Sequence, residues 1–329
     1  MTITPAEDVP EAFGKRLAQA KLDETMQIYR TTMQYPLWSR PADGSNQHLT
    51  NWNHPISVGQ PFAVDATKRE IAANATIDRV YAPPGTPVTV QVTASHTDDG
   101  SPAPLDQPHA QLQWRDRANN TWISIQDIPL QSAAAGSWAG SVVPSQVAAL
   151  RTQRETRMVA FVQVGEFSRE LALDFAYSAQ PPVVVHGIAS ERVVDGQLEV
   201  GLDADVSMLG TVGLNATLYG PDGKTAIAVY DDRYFPVRAG RQVIPVRFFG
   251  KILHDRQIDG PYHIGAVHGY VYQHDQPDTL FDRNDLPAMV TAAHGAGEFS
   301  GDPYHSPDVD AQLAQYQALR DGLGKDQAP

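Results

Sequence analysis

The sequence predicts a mainly β protein: tandem Ig-like antiparallel β-sandwiches with an N-terminal helix and a short C-terminal helix. Three observations lead to this fold class. Short runs of alternating apolar and polar residues recur between turn signals through most of the chain. Pro and Gly, at 25 residues each in 329, exceed their average share and punctuate these runs. Helical periodicity is confined to the two ends of the chain.

The first 36 residues read as a helix that ends at Pro36. Its apolar residues recur at spacings that place them on one face: Phe13, Leu17, Met26, Tyr29 and Met33. We expect this helix to pack against a β domain, although docking of an external partner is an alternative.

Residues 37–66 combine prolines, glycines and polar residues and read as an irregular segment. Trp38 and Trp52 lie in it. Because irregular backbone is hard to bury, large aromatic side chains here anchor the segment onto something else. That anchor is a neighbouring domain or, in the alternative interpretation, a bound glycan or peptide. Trp38 and Trp52 are therefore the predicted ligand-binding residues.

The first sandwich is predicted over residues 67–179, with an N-terminal unit over 1–66 and a boundary at the stiff Gln180-Pro181-Pro182 sequence. About seven short strands with regular turns are typical of an Ig-like sandwich. The predicted strands are Thr76–Tyr81, Pro87–Ser95, Ala110–Arg115, Thr121–Ile128, Ser137–Val143, Met158–Val164 and Glu170–Tyr177.

The second sandwich is predicted over residues 180–305. Its strands are Val183–Val194, Gln197–Val206, Val212–Tyr219, Thr225–Tyr230, Gln242–Phe249, Tyr262–Gln273 and Ala288–Ala292. The stretch from Gly240 to Tyr262 predicts a strand of alternating side chains, a short polar loop, and a second strand that opens at Asp259-Gly260-Pro261-Tyr262.

Gly260, Pro261 and Tyr262 are predicted to have structural roles. Gly260 permits a tight turn or close approach, and Pro261 lies where a missing N–H donor is tolerated. Tyr262 is expected to bury its ring while its hydroxyl bonds a nearby backbone group, as in a tyrosine corner.

The last unit, residues 306–329, reads as a short helix and tail. Ser306 is a suitable cap and Pro307 suits the first helical position. The predicted apolar face consists of Leu313, Tyr316, Leu319 and Leu323.

The composition of the chain excludes several classes of partner and functional site. The net charge of −13 argues against nucleic acid as a partner, because duplex binding needs clustered Lys and Arg. The absence of cysteine excludes disulfides, thiolate zinc sites and cysteine nucleophiles. No apolar run is long enough for a membrane span. The start lacks the apolar core of a signal peptide, which fits a cytoplasmic protein or a mature secreted chain with Met1 added.

The sequence contains no nucleophile-elbow, phosphate-loop or dinucleotide motif, so no catalytic residues are predicted. His268 and His274 would be roughly 20 Å apart in an extended strand, so they cannot both ligate one metal ion without a bulge or turn. The histidines of the last third are therefore read as surface or loop residues. Calcium is the only cofactor that the sequence suggests, since carboxylates on loops are its ordinary ligands. The predicted calcium ligands, with a solvated acidic loop as the alternative, are Asp275, Asp278, Asp282 and Asp285.

Three segments carry a resemblance to known proteins: LYGPDGKTAIAVYDD, GRQVIPVRFFGKIL and DGPYHIGAV. They resemble the C-terminal Ig-like module of secreted or cell-surface bacterial proteins. Over roughly residues 35–305 the chain also resembles a bacterial secreted family of unknown function with two Ig-like β-sandwich domains. The resemblance implies a secreted or periplasmic location, and it implies no catalytic residues.

We therefore expect a secreted or periplasmic, non-enzymatic binding or interaction protein whose partner is a protein or a glycan. One alternative is a secreted hydrolase or hydrolase accessory module with residues assembled from loops. The other is an envelope or secretion-assembly component that docks through the N-terminal helix. The sequence leaves the ligand and the oligomeric state open.

Overall fold

A computed structural model describes residues 9–134, 136–151, 154–272, 279–283 and 287–325. It confirms the predicted fold class: a mainly β chain with two sandwiches and a helix at each end. The α-helices of the described residues are α1 (Val9–Met33), α2 (Gln47–Thr50), α3 (Gly250–Arg256) and α4 (Pro307–Lys325). None of the described helices is long and apolar enough to cross a bilayer.

The strands of the first sandwich are β2 (Ile56–Val64), β3 (Glu70–Ile77), β4 (Tyr81–Ala82), β5 (Val88–His96), β6 (His109–Asp116), β7 (Thr121–Pro129), β8 (Gln131–Ala134), β9 (Ser137–Val142), β10 (Arg154–Val164) and β11 (Phe167–Tyr177). The second sandwich contains β1 (Ser39–Pro41), β12 (Val183–Val194), β13 (Gln197–Val206), β14 (Gly210–Tyr219), β15 (Ala226–Val237), β16 (Gly240–Phe248), β17 (His263–Tyr272), β18 (Thr279–Asp282) and β19 (Met289–Val290).

In the first sandwich, a sheet with the strand order β2-β3-β5-β9-β8 packs against a sheet with the order β4-β11-β10-β6-β7. Neighbouring strands are antiparallel except β4, which runs parallel to β11. Strands β3, β5, β9 and β8 take the places of A, B, E and D of an Ig sandwich, and β6, β10 and β11 take those of C, F and G. Alternate residues fill one core, as the fully buried Val88, Val90 and Val92 of β5 show.

In the second sandwich, a sheet with the strand order β12-β13-β16 packs against a sheet with the order β1-β15-β14-β17-β18. Strand β19 also pairs with β17. The alternation predicted around Gly240 is confirmed, since Ile244, Val246 and Phe248 are buried while Val243 is half exposed. A second and separate core fills this sandwich.

Two predictions in the first sandwich are wrong. Residues 56–64 form an edge strand rather than irregular structure, and a register shift between Pro61 and Ala63 accommodates the proline that concealed it. The predicted strand Thr76–Tyr81 spans the end of β3, a bend, and the start of β4, because here the chain crosses between the two sheets.

The predicted polar loop after Gly240–Phe248 is also wrong, because residues 250–256 form helix α3. Its Ile252 and Leu253 are each only 1% exposed and join the core of the second sandwich. The next strand begins at His263, after the Gly260-Pro261 sequence rather than within it. A strand that was not predicted, β18, pairs residues 279–282 with β17.

Residues 34–53 wrap around the second sandwich although they precede the first in the chain. Strand β1 extends one sheet by pairing with β15, and Ser39 lies opposite Tyr230. The Ser39 side chain is fully buried, and its hydroxyl accepts a hydrogen bond from the Phe249 backbone N–H at 3.0 Å.

The two terminal helices pair with each other. Tyr29 of α1 and Tyr316 of α4 meet edge to face at 5.7 Å, and Asp23 forms an ion pair with Arg320 at 3.0 Å. The Ser306 hydroxyl accepts the Val309 N–H at 3.2 Å, as expected of a cap. Leu319 departs from the predicted apolar face, since it is 60% exposed.

Candidate functional site

Trp38 packs against the second sandwich. Its ring lies edge to face with Tyr230 at 6.5 Å and with Phe249 at 6.3 Å, and the Arg247 guanidinium lies 5.7 Å from its centre. Edge-to-face aromatic pairs and a cation over a ring each stabilise packing. The ring therefore anchors the wrapping segment, and ligand binding by Trp38 stays a prediction.

Trp52 lies at the junction between the two sandwiches. Its ring stacks on the His268 imidazole of β17 at 4.5 Å and contacts Tyr81 of β4 at 5.8 Å. Burial lowers the pKa of His268 to about 4, and the ring Nδ1 lies 2.9 Å from the Ala266 carbonyl oxygen, to which the neutral imidazole can donate. A neutral ring is well suited to stacking beneath Trp52, whose ligand-binding role stays a prediction.

Asn53, next to Trp52, bonds to both sandwiches. Its Oδ1 accepts hydrogen bonds from the backbone N–H groups of Val80 at 3.1 Å and Tyr81 at 3.0 Å. Its Nδ2 donates to the Tyr81 carbonyl at 3.1 Å and to the Asp282 Oδ2 at 2.9 Å. The Tyr81 hydroxyl and the Ser178 hydroxyl both donate to the Leu280 carbonyl. These bonds attach β18 of the second sandwich to the first.

Of the four predicted calcium ligands, the structure describes one. Asp282 is placed at the junction, where it accepts the hydrogen bond from Asn53. Asp275, Asp278 and Asp285 lie outside the described residues. Within the described ranges no group of three potential ligand side chains is close enough to hold a metal ion. Calcium binding by this loop stays a prediction.

Tyr262 lies at the corner between α3 and β17 and is fully buried. Its hydroxyl donates to the Ile258 carbonyl at 2.8 Å, and its backbone N–H donates to the Thr291 hydroxyl at 2.9 Å. The neighbouring Gly260 N–H donates to the His294 carbonyl at 2.7 Å. Burial raises the pKa of Tyr262 to about 12. This arrangement is that of a tyrosine corner.

His294 is held between two carboxylates. Its Nε2 lies 2.5 Å from Glu191 on β12, and its Nδ1 lies 3.2 Å from Glu298. Partial burial lowers the pKa of His294, but the bonds and charges of Glu191 and Glu298 outweigh burial and raise it above its ordinary value. The protonated ring thus ties residues 294–298 to the edge of the second sandwich, near Asp259, which accepts the Ala296 N–H.

We expect the protein to lose stability as the pH rises through the raised pKa of His294. The ion pairs are fully present below the unfolded-state pKa of about 6.5 and disappear as the folded ring deprotonates. Replacing His294 by Gln should cost about 1 kcal/mol at pH 6 and progressively less by pH 9. Thermal melts of both proteins across this range measure the difference, and a constant gap would contradict the assignment.

On one part of the outer face of the β11-β10-β6-β7 sheet, the polar side chains form hydrogen bonds with one another. The Arg157 guanidinium bonds Asp174 at 2.6 Å and lies 3.9 Å above the Trp122 ring. Gln111 donates to Asp127 at 2.9 Å and accepts from the Ser124 hydroxyl at 2.7 Å. Little hydrogen-bonding capacity is left over in this part of the face.

The opposite end of the same sheet carries a groove of about 720 Å³, within the range of small-molecule sites. Its floor holds His109 of β6 and Phe161 of β10, whose rings stack at 4.8 Å with 8° between their planes. The polar residues that also line the groove are Gln60, Asp106, Gln107, Gln163, Ser168, Arg169 and Glu170.

The wall of this groove is held rigidly. The Asp106 carboxylate accepts the Gly165 N–H at 2.7 Å, and the Asp106 N–H donates to the Gln163 carbonyl at 2.8 Å. The Gln163 amide donates to the Gly165 carbonyl at 2.8 Å. The turn between β10 and β11 is thereby fastened to the loop before β6.

This groove is not predictable from the sequence. Its residues come from four separate segments, and the pairing of His109 with Phe161 depends on the register between β6 and β10. One local signal existed, since Phe161 in the predicted strand Met158–Val164 lies on the face opposite Met158, Ala160 and Val162.

No protein-family model and no curated protein matches this chain. Among solved structures it is similar to a DUF4785 family protein from Legionella pneumophila, at 14% identity and a TM-score of 0.41, over 67% of this chain and 57% of that one. A second is Bacteroides uniformis β-glucuronidase 3, at 13% identity and a TM-score of 0.19, over 62% and 23%. A third is an ICAM-5 ectodomain fragment, at 10% and 0.24, over 67% and 56%. This chain thus spans less than two thirds of each of them, and at these scores the similarities carry no argument about fold or function.

Proposed function

We propose that this protein is a secreted or periplasmic, non-enzymatic binding protein that presents the His109–Phe161 groove on a rigid body of two Ig-like sandwiches. The observation that carries the proposal is the groove itself, in which a preformed aromatic pair is surrounded by polar groups. Binding sites in proteins are concave and largely preformed, with a few polar groups that fix orientation.

The internal bonding of the groove residues supports a binding role. Among the described residues, the side chains of Gln60, Ser168, Arg169 and Glu170 have no hydrogen bond or ion pair of their own. At the other end of the face, Arg157 and Gln111 are fully engaged. Unused donors and acceptors that surround a rigid platform are available to a ligand at small conformational cost.

The rigid junction supports the same proposal. Asn53, Tyr81 and Ser178 fasten the first sandwich to β18, so the groove is presented in a fixed orientation relative to the second sandwich.

We expect the full chain to bind saturably to a panel of immobilised oligosaccharides or to a panel of immobilised peptides. The Arg169→Ala/Glu170→Ala variant should lose that binding, while a matched pair on the same face, Gln113→Ala/Ser124→Ala, should retain it. Mass spectrometry of the panel members after incubation detects turnover. The absence of saturable binding to both panels, or turnover of any member, contradicts the proposal.

A further inference from the structure

We infer that the ligand of the His109–Phe161 groove is a neutral oligosaccharide; this inference rests on the binding function proposed above. Four features of the groove support it: the floor, the polar rim, the backbone and the charge.

The floor suits the face of a sugar ring. A pyranose presents a patch of C–H groups that packs on the flat face of an aromatic ring, whose electron density is negative. His109 and Phe161 are register partners on adjacent strands, and their nearly parallel rings stack on each other, so each ring keeps one outward face for such a patch. Because stacking already fixes their rotamers, little side-chain entropy remains to be lost on binding.

The rim suits hydroxyl groups. Each sugar hydroxyl donates one hydrogen bond and accepts others, so its site must offer both kinds of partner. Arg169 supplies only donors and Glu170 only acceptors, while Ser168 and Gln60 supply both. These four side chains line the groove and have no partners of their own among the described residues.

The backbone beneath the floor disfavours a peptide ligand. Extended peptides are recognised chiefly by adding a strand to a free sheet edge, or by pockets for alternate side chains. Strand β10 is an inner strand, since Phe161 pairs with His109 on one side and with Glu170 on the other. Its backbone donors and acceptors are therefore already used by the sheet. The outer edge of β11 beside the floor is covered by β4 only at Ala176 and Tyr177, so immobilised peptides, which could add a strand along Ser168–Glu170, form one arm of the test below.

The charge disfavours an acidic glycan. Asp106 and Glu170 lie in the groove with Arg169 as the one permanently charged cation among its lining residues. The chain as a whole carries a net charge of −13. Because like charges repel at close range, a neutral saccharide is favoured over one rich in uronic acids.

The test uses isothermal titration of the full chain with neutral hexasaccharides of glucose, xylose, mannose and N-acetylglucosamine, and with a uronic acid hexasaccharide. We expect at least one neutral hexasaccharide to bind. The Phe161→Ala and Arg169→Ala/Glu170→Ala variants should weaken that binding by at least about tenfold, and Trp122→Ala, an aromatic control on the same face, should change it less than about twofold.

Because Phe161 is half-buried, its removal could destabilise the fold, so a thermal melt is recorded for each variant. Arg169 and Glu170 are exposed, so their replacement tests the site without disturbing the core. Binding that both groove variants leave unchanged overturns the assignment of the site. Preference for the uronic acid hexasaccharide overturns the charge argument. Binding of immobilised peptides alone, lost in the Arg169/Glu170 variant, overturns the saccharide inference but upholds the binding function; no binding at all overturns both.

Discussion

Replacing Tyr262 by alanine is expected to destabilise the second sandwich by about 3–5 kcal/mol, the largest effect of any single change considered for this protein. The ring is fully buried in the core that α3 and β17 share. Its removal leaves a cavity and also leaves the Ile258 carbonyl without its donor. Chemical denaturation followed by circular dichroism measures the loss.

Two further variants separate the contributions of the ring and the hydroxyl. Tyr262→Phe keeps the ring and should cost only about 1 kcal/mol, the net worth of one hydrogen bond. Tyr272→Ala removes a tyrosine that is 49% exposed on the same strand, and it should cost less than about 0.5 kcal/mol. If Tyr262→Ala and Tyr272→Ala cost the same, Tyr262 is not the corner residue described above.

Replacing Asn53 by aspartate is expected to cost about 2–4 kcal/mol and to loosen the junction between the sandwiches. The change is nearly isosteric, but it removes the two N–H donors that reach the Tyr81 carbonyl and Asp282. It also places one carboxylate against another. Denaturation measures the cost, and small-angle scattering should show a larger radius of gyration as the two sandwiches separate.

The chain supplies a control and a rescue for this prediction. Asn51→Asp makes the same change two residues earlier on an exposed side chain and should be nearly neutral. Adding Asp282→Asn to Asn53→Asp restores a donor–acceptor pair across the junction, so the double variant should recover part of the loss. Additive costs in the double variant would show that the two side chains do not interact.

The parts of this fold that the sequence predicts are those governed by local patterns. Alternation around Ile244 and Val246, and the Ser306 cap, follow from side-chain periodicity and helix-end chemistry, and both are observed. Strand β2 was concealed because Gly59 and Pro61 interrupt its pattern, yet an edge position tolerates both residues. Helix α3 was concealed because its seven residues bury only two large apolar side chains, Ile252 and Leu253.

The candidate site was less predictable, because it depends on contacts between distant segments. Trp38 and Trp52 were recognisable as anchors, but which surfaces they contact is decided by strand register in the second sandwich. The four-way bonding of Asn53 has no local signature at all. The groove needs β6 beside β10, a pairing that joins residues far apart in sequence.

The wrapping of residues 34–53 around the second sandwich imposes an order on events at the ribosome. Ser39 leaves the exit tunnel early, but Tyr230, its register partner, is synthesised roughly 10 to 40 s later at ordinary elongation rates. During that interval the first sandwich has all of its strands and can fold, while Trp38 has no sheet to cover. The nascent chain must therefore carry this aromatic segment unpaired past a complete domain until the second sandwich has been synthesised.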